Sequence, residues 1–424
     1  MPLPESMTCV LCGAAYPGDS IRYSCPECGE LGTLRISYDY DLINASASRD
    51  GLAAAPFRDH WRYLPLLPLA GDDVEFPLAV GATPLYPVPG LRRALGLERL
   101  WIKDDTANPS ASLKDRASSV VLLKGQELGR REFATASTGN AGASLACLSA
   151  ALGLPCHIFV PETAPRAKVA QLLIFGADVL AIRGSYSEAF SLCVEAADRF
   201  RWYNRNTGYN PYTVEGKKTV ALEIAEQLGW EPPDTVIVAT GDGCILSGVW
   251  KGFTDLHRLG WIPRLPRLVA AQAEGSQAIK QAFDGDGTIR PVVDDTLADS
   301  ISVALPRNGV MAVQDLRASG GIAVTVSDGE ILEAMPLLGR KAGLFAEPAA
   351  AAAVAALVKL VDRGDVSSAE RVVVLSTGHG LKDVDAALRA VEPPEPVDCA
   401  IEAVAGRVSQ TVPLPAPGFP LSRE

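Results

Sequence analysis

The sequence lacks a long apolar run and has little positive charge. Its longest apolar tract, residues 349–358, is mostly alanine and falls short of the roughly 18 residues that a membrane span requires. The first residues, MPLPESMTC, contain no basic and apolar leader. With 39 lysines and arginines against 50 acidic residues, the formal net charge is −11, which argues against binding to nucleic acid or to a membrane. We therefore expect a soluble, cytoplasmic protein.

The composition also excludes intrinsic disorder. Hydrophobic residues make up 48% of the chain and charged residues only 21%, so a large buried core can form. A chain of 424 residues is long for one domain and suggests two or three.

Cysteine is scarce and unevenly placed, which argues against a disulfide framework. There are nine cysteines, an odd number, and four of them lie near the N-terminus as two Cys-x-x-Cys pairs, Cys9 with Cys12 and Cys25 with Cys28. Four thiolates on two such turns suit a closed tetrahedral zinc site, which has a structural rather than a catalytic role. The alternative is a metal-free remnant of the same hairpin. Residues 31–41 read as a strand that leaves this zinc-ribbon-like segment.

The rest of the chain alternates short apolar runs with helical stretches. Helices are expected at 141–152 and 165–175, and this alternation predicts an α/β protein with parallel sheets. After Glu392 the chain is rich in proline and reads as an extension rather than a domain. The expected strands are 100–103, 133–137, 156–160, 178–182, 235–240, 267–272 and 371–376.

The block NPSASLKDR, residues 108–116, contains a candidate catalytic lysine. Ser112 followed by Asp115 reads as a capping box, which would place Lys114 in the first turn of a helix. The positive end of the helix dipole lowers the pKa of a lysine there, as a Schiff-base enzyme requires. Judged by its position alone, Lys114 is better explained as a surface lysine in the first turn of a helix.

Three further blocks follow strands at their carboxyl ends, where open α/β sheets bind ligands. The small residues of 137–142 let backbone amides converge on a carboxylate, and Asn140 offers an amide to a phenolic oxygen. The glycines of 240–248 resemble a phosphate cradle without the lysine of a P-loop. Residues 376–383 place a hydroxyl at a strand end and contain His379, which is as readily structural as catalytic.

Together these blocks resemble the pyridoxal-phosphate (PLP) enzymes of fold type II, the tryptophan synthase beta-like family, and most closely its threonine synthases. The resemblance covers nearly the whole chain. Its most specific match is TGHGLKD at 377–383, supported by NPYTVEGKKT at 210–219 and DSISV at 299–303. The chain departs from the family pattern at Ala111, where glycine is common, and at Asp242 and Cys244 in the phosphate loop. An acidic Asp242 beside a phosphate is unfavourable unless its side chain points away.

The resemblance implies a role for each block. Lys114 would hold PLP as a Schiff base and then act as the general base at the substrate Cα. Asn140 would bond the cofactor O3′, and Thr377 would meet the pyridine nitrogen. The remaining roles are the cofactor phosphate, assigned to Gly241, Asp242, Gly243, Cys244 and Ile245, and the substrate carboxylate, assigned to Ser137, Thr138 and Gly139.

The implied reaction converts O-phospho-L-homoserine and water into L-threonine and phosphate by γ-elimination and β-addition. A substrate phosphate needs cations or many hydrogen-bond donors. Each candidate for that role also has an ordinary explanation as a surface charge. The candidates are Arg166, Lys168, Arg205, Asn206 and Lys217.

The resemblance also implies an organisation and an oligomeric state. It places a four-cysteine zinc-ribbon-like segment at residues 1–40, with zinc as a structural ion. A large PLP domain would occupy 41–124 and 216–392, a small mobile domain 125–215, and a Pro-rich extension 393–424. Both larger domains would be open parallel sheets, and the protein would be a homodimer that binds a small amino-acid substrate.

Two alternatives remain open at this point. One is a related PLP enzyme acting on another amino acid, such as a dehydratase, a diaminopropionate lyase, a cysteate synthase or a β-replacement enzyme, because these share the lysine and cofactor loops. The other is a non-enzymatic zinc-ribbon module fused to a degenerate domain. The presence of Lys114, Asn140 and Thr377 argues against that reading.

Overall fold

Three β-sheets organise the protein, and two of them are the parallel sheets that the sequence predicts. The computed structural model describes residues 4–411, apart from residues 19, 55, 72 and 73. The chain divides into two compact units, Met1–Ala390 and Val391–Glu424. The end of the Pro-rich tail, residues 412–424, lies outside the described residues.

The strands alternate with helices along most of the first unit. The strands are β1 (Ser6–Cys9), β2 (Ala15–Pro17), β3 (Leu34–Ser37), β4 (Leu85–Pro87), β5 (Arg99–Asp104), β6 (Phe133–Ala136), β7 (Cys156–Pro161), β8 (Asp178–Ile182), β9 (Tyr203–Asn204), β10 (Thr235–Ala239), β11 (Arg267–Ala273), β12 (Ile322–Val326) and β13 (Arg371–Ser376).

The helices of the first unit cover the sheets, and α15 belongs to the second unit. The α-helices are α1 (Tyr40–Ser46), α2 (Arg49–Ala54), α3 (Pro89–Ala94), α4 (Lys114–Glu127), α5 (Asn140–Leu152), α6 (Arg166–Ile174), α7 (Tyr186–Phe200), α8 (Tyr212–Gln227), α9 (Cys244–Arg258), α10 (Ala278–Asp284), α11 (Gly309–Ala318), α12 (Asp328–Ala342), α13 (Pro348–Asp362), α14 (Val384–Arg389) and α15 (Ile401–Thr411). Short 3-10 helices lie at His60–Leu66, Asp105–Ala107, Asp299–Ile301 and Gly380–Lys382.

The largest sheet has six strands in the order β12-β11-β10-β13-β5-β4. All neighbours pair in parallel except β4 with β5. Every residue of β10 is buried, as expected of a central strand covered by helices on both faces. The alanine-rich start of α13 packs against this sheet, since small side chains allow a helix to approach closely.

The second parallel sheet has four strands in the order β8-β7-β6-β9. Its two-residue strand β9 lies at an edge and pairs with β6. A third, antiparallel sheet of β2-β1-β3 forms the N-terminal segment. Among the described residues, no helix is long and apolar enough to cross a membrane.

Candidate active site

A cavity of about 460 Å³ lies where loops from both parallel sheets meet. The loop after β6, the helix α6 and the turn after β13 all contribute residues to its wall. Parallel sheets bind ligands at this end of their strands. Polar residues that line the cavity are Ser110, Thr138, Asn140, Lys168, Gln171, Asp299, Ser300, Glu347, His379, Lys382 and Asp383.

Lys114 is the first residue of α4, as the sequence predicts. The loop before it is fixed to the turn after β13, because the Leu113 N–H donates to Thr377 O at 2.9 Å and the His379 N–H donates to Ala111 O. Burial lowers the pKa of the Lys114 amine, and the nearby charge of Arg205 lowers it further, while Glu347 opposes the shift. The neutral, nucleophilic form of Lys114 is therefore more accessible than that of an ordinary lysine.

The predicted capping box at the start of α4 is wrong. Asp115 accepts hydrogen bonds from the Ser110 N–H at 2.6 Å and from Ser110 Oγ at 2.5 Å, rather than pairing with Ser112. Ser112 Oγ is buried and forms no hydrogen bond to any described residue. The helix start is therefore held by a carboxylate that reaches back by five residues, a connection that the capping-box spacing does not anticipate.

Asn140 and Glu347 are in direct contact at the wall of the cavity. Asn140 is the first residue of α5, and its Nδ2 donates to both carboxylate oxygens of Glu347, at 2.8 and 3.0 Å. Burial raises the pKa of Glu347. Glu347 is not among the site residues predicted from the sequence. The signal available was a glutamate immediately before Pro348 at the start of an alanine-rich helix.

The glycine loop after β10 is tightly packed. A Cβ on Gly241 would lie 2.9 Å from Ile301 Cα, and Gly243 has a φ of +88°, which glycine adopts freely. Cys244 and Ile245 then open α9. Asp242 turns its carboxylate to Arg307, whose backbone N–H donates to Oδ1 at 2.8 Å. This hydrogen bond fixes the direction of the Asp242 side chain, and burial raises the pKa of its carboxyl.

Two buried cations, Arg205 and Lys217, lie close to this loop. Arg205 Nε donates to Ser118 Oγ at 3.0 Å and Nη1 to Thr207 Oγ1 at 2.6 Å. Arg205 Nη2 and Lys217 Nζ are buried and have no hydrogen-bond partner among the described residues. Burial lowers the pKa of Lys217 to about 7, with smaller contributions from Arg205 and Lys114, and burial lowers the pKa of Arg205 to about 10. Since an uncompensated buried charge is costly, the arrangement is suited to an anion.

We call Arg205 and Lys217 the cation pair. The other three phosphate candidates are placed differently. Asn206 Oδ1 accepts from the Ala136 N–H at 2.7 Å and from Thr135, so its amide fixes the end of β6. Lys168 lines the cavity and pairs with Asp299. Arg166 is exposed on α6 and is not among the residues that line the cavity.

The turn after β13 brings several polar side chains to the site. Ser376 Oγ is buried and forms no hydrogen bond within the part of the chain that the structure describes. Thr377 is buried directly after it. His379 Nδ1 accepts from the Leu381 N–H at 3.1 Å and so begins a short 3-10 helix, which gives this histidine a structural role at the cavity wall.

The four N-terminal cysteines converge as their spacing predicts. The sulfurs of Cys9, Cys12, Cys25 and Cys28 all lie within 4.8 Å of one another. Gly13 and Gly29 have φ values of +75° and +67° and close the two turns, each by donating its N–H to the carbonyl of the first cysteine of its pair. The donor set fits a four-sulfur metal site.

Comparison with known proteins identifies the family. A family model described as a pyridoxal-phosphate dependent enzyme matches residues 76–378. A threonine synthase of Methanocaldococcus jannaschii is 40% identical over 92% of this chain and 96% of its own length. The chain belongs to the pyridoxal-phosphate-dependent enzymes and, within them, to the threonine synthases. PLP is therefore the cofactor of this threonine synthase family member.

Other relatives extend the agreement. A threonine synthase of Methanosarcina acetivorans is 37% identical over 94% of this chain and 97% of its own length. Among solved structures, a fungal L-serine ammonia-lyase from Rhizomucor miehei matches with a TM-score of 0.64 at 21% identity, covering 73% of this chain and 97% of its own. Threonine deaminase isoform 2 from Solanum lycopersicum matches with a TM-score of 0.63 at 22% identity, over 73% of this chain and 87% of its own. These structures confirm the type II fold of the threonine synthase family member.

Proposed function

We propose that the enzyme converts O-phospho-L-homoserine and water into L-threonine and inorganic phosphate. The observation that carries this proposal is the cation pair, because two buried basic side chains with no described partner for Arg205 Nη2 and Lys217 Nζ suit a substrate that brings a phosphate of its own. The threonine synthases that resemble the chain over nearly its full length support the same reaction.

The residues present fit the cofactor. Lys114, with its lowered pKa, offers an amine to the aldehyde, and the closely packed glycine loop at the start of α9 offers backbone amides to the phosphate. The hydroxyls of Ser376 and Thr377 lie at the end of β13, where the resemblance puts the pyridine nitrogen. When bound, PLP supplies an electron sink for negative charge that develops on the substrate carbons.

Lys114 carries the proton transfers in this proposal. With PLP bound, Lys114 would act as the base that removes protons at Cα and Cβ of the substrate, and phosphate would leave from Cγ. A proton returns to Cγ, water adds at Cβ, and Cα is protonated again before threonine leaves. Burial keeps the amine neutral for a larger fraction of the time, which is what a general base at neutral pH requires.

The start of α5 binds the substrate carboxylate in this proposal. Ser137, Thr138 and Gly139 precede the helix, and Ser137 Oγ accepts from the Gly139 N–H at 3.2 Å. A Cβ on Gly139 would have Ser300 Oγ at 4.0 Å as its nearest described neighbour, so backbone amides can approach a ligand closely. The helix dipole adds to the attraction for an anion.

One assay tests the reaction. The holoenzyme is given O-phospho-L-homoserine, and threonine and inorganic phosphate are quantified. Equal yields of the two products are expected. Phosphate with 2-oxobutyrate in place of threonine would instead establish an elimination enzyme. An intact PLP absorbance band without any product would show that the substrate is a different amino acid.

Replacing Lys217 of the cation pair and replacing the nearby Asp242 should change KM in opposite directions. Lys217→Met should raise KM for O-phospho-L-homoserine by roughly tenfold or more, because a charge-assisted hydrogen bond to phosphate is lost. Asp242→Asn keeps an acceptor for the Arg307 N–H but removes a negative charge, so it should lower KM. Titration of PLP into the apoenzyme separates the alternatives: if Lys217→Met weakens PLP binding and leaves KM unchanged, the cation pair serves the cofactor phosphate.

We also propose that the four cysteines bind one structural Zn²⁺. The converging sulfurs and the two glycine turns support it. Metal analysis of the purified protein should find one zinc per chain, and Cys12→Ser should lower that content. A protein purified with zinc in the medium that holds none would contradict the proposal.

The remaining organisation follows from the resemblance. We propose a cytoplasmic homodimer in which residues 125–215 move as a small domain relative to 41–124 and 216–392. The four-stranded sheet, which runs from Phe133 to Asn204, lies within the proposed small domain. Closure of the small domain on the substrate would exclude water from the cavity.

A further inference from the structure

We call the N-terminal segment, residues 4–40, the ribbon. It makes two contacts with the rest of the chain near the cation pair. The first contact is Tyr23. The Asn204 N–H donates to Tyr23 Oη at 3.0 Å, and the Tyr23 ring stacks on Tyr209 with centroids 4.8 Å apart. Asn204 belongs to the edge strand β9, so its outward N–H finds this partner in the ribbon instead of in another strand.

This first contact acts on one member of the cation pair. Arg205 follows Asn204 directly, and its backbone N–H donates to Ala134 O at 2.8 Å. The backbone at the base of Arg205 is thus held by β6 on one side and by the ribbon on the other. A shift of β9 away from Tyr23 would move the guanidinium that lies next to the glycine loop.

The second contact is Glu30. Its carboxylate pairs with Arg307 Nε at 3.2 Å, and the Arg307 guanidinium lies 3.5 Å from the centre of the Phe190 ring. The backbone N–H of Arg307 is the donor that holds the carboxylate of Asp242. Glu30 therefore contacts the side chain of the residue whose backbone N–H holds the Asp242 carboxylate in the glycine loop.

The second cysteine pair lies between the two contact residues in the sequence. Tyr23 is two residues before Cys25, and Glu30 is two residues after Cys28. A metal bound to these sulfurs would hold the turn closed, and with it the spacing between Tyr23 and Glu30. The four sulfurs already lie within 4.8 Å of one another.

We infer that Tyr23 and Glu30 are positioning residues for the substrate phosphate, and that metal bound to the ribbon cysteines sets their spacing. This inference rests on the proposed function, because it takes the cation pair to bind that phosphate. Tyr23 acts through Asn204 and Arg205, and Glu30 acts through Arg307 and Asp242. Neither residue touches the reacting atoms. They therefore set the affinity for the substrate phosphate rather than the rate at which bound substrate reacts.

The test uses the zinc-loaded holoenzyme, with inorganic phosphate as the probe. In Tyr23→Phe and in Glu30→Gln, the Kd for phosphate measured by calorimetry and KM for O-phospho-L-homoserine should both rise by roughly fivefold to tenfold. The kcat should change by less than about twofold, because the chemistry at Lys114 is untouched. Tyr86→Phe and Glu98→Gln, at exposed positions outside the ribbon, are the matched controls and should match the wild type.

Removal of the metal gives a second, independent arm. The double variant combines Tyr23→Phe with Glu30→Gln. Stripping zinc from the wild type should weaken phosphate binding about as much as this double variant does. Stripping it from the double variant should add little, because coupled groups are not additive. Unchanged phosphate affinity in both single variants would overturn the inference, and so would a parallel loss of PLP absorbance, which indicates a general structural role. A wild type that binds phosphate but makes no threonine would refute only the proposed function.

Discussion

Replacing Lys114 with alanine should abolish turnover while leaving the fold intact. The expected fall in kcat is at least about 10⁴, because the variant loses both the amine that anchors the cofactor and the base that moves the Cα proton. Asn140 Nδ2 donates to both carboxylate oxygens of Glu347, so this nearby buried acid keeps a hydrogen-bond partner when Lys114 is removed. Burial and the charge of Arg205 both lower the pKa of the Lys114 amine, which favours the neutral form that attacks the cofactor aldehyde.

The measurement is the threonine assay together with the PLP absorbance of the variant. Lys280→Ala, at a partly exposed position of α10, is the matched control and should retain wild-type kcat. The Lys114 variant should also lose the absorbance band of the covalently held cofactor but keep the unfolding midpoint of the wild-type apoenzyme. Substantial residual threonine production would mean that a different amine anchors PLP.

Replacing Glu223 with alanine should destabilise the protein by about 3–5 kcal/mol, the range found when one member of a buried ion network is removed. Glu223 is fully buried and pairs with Arg116 Nη1 and with Lys103 Nζ, each at 2.6 Å. Without it, the described partners of Lys103 are the neutral Thr83 O and Gln227 Oε1, and the described ionic partner of Arg116 is Asp105. The network connects α8 to β5 and to α4. Its member in α4, Arg116, lies two residues after Lys114.

Denaturant unfolding of the holoenzyme measures this effect, with Glu195→Ala at an exposed position of α7 as the control. Burial opposes ionisation of Glu223, but Arg116 and Lys103 outweigh it and hold the pKa well below its usual range. The stability that this carboxylate contributes is therefore present above the usual glutamate pKa and is lost only as pH falls through the lowered value. A loss below about 1 kcal/mol would show that water replaces the missing partner.

The sequence predicts the fold well because the signals for it are local. The apolar runs at β5, β6, β7, β8, β10, β11 and β13 are recognisable without the structure. The sequence does not predict the edge strands β4, β9 and β12. β9 has two residues, and β4 ends in Pro87, which cannot donate to a neighbouring strand.

The sequence predicts a part of the candidate site only where a single short motif contains all the residues of that part. Lys114 and the glycine loop lie within short motifs, so their positions follow from the motif. Glu347 meets Asn140 across more than two hundred residues of sequence, and no local pattern connects them. The five phosphate candidates looked alike in sequence because burial decides between them, and burial depends on contacts from several elements.

Because of the cation pair, we expect the stability of the enzyme to depend on the anions in its buffer. The structure describes no partner for Arg205 Nη2 or for Lys217 Nζ, so the folded protein bears a desolvation cost until an anion arrives. Any anion that binds the folded state alone stabilises it, by about 2.7 kcal/mol at a hundred times its Kd. Phosphate or sulfate in a buffer would then protect the enzyme on storage and compete with its substrate in the assay. Melting temperatures and KM values for this enzyme are comparable only between buffers with the same anions.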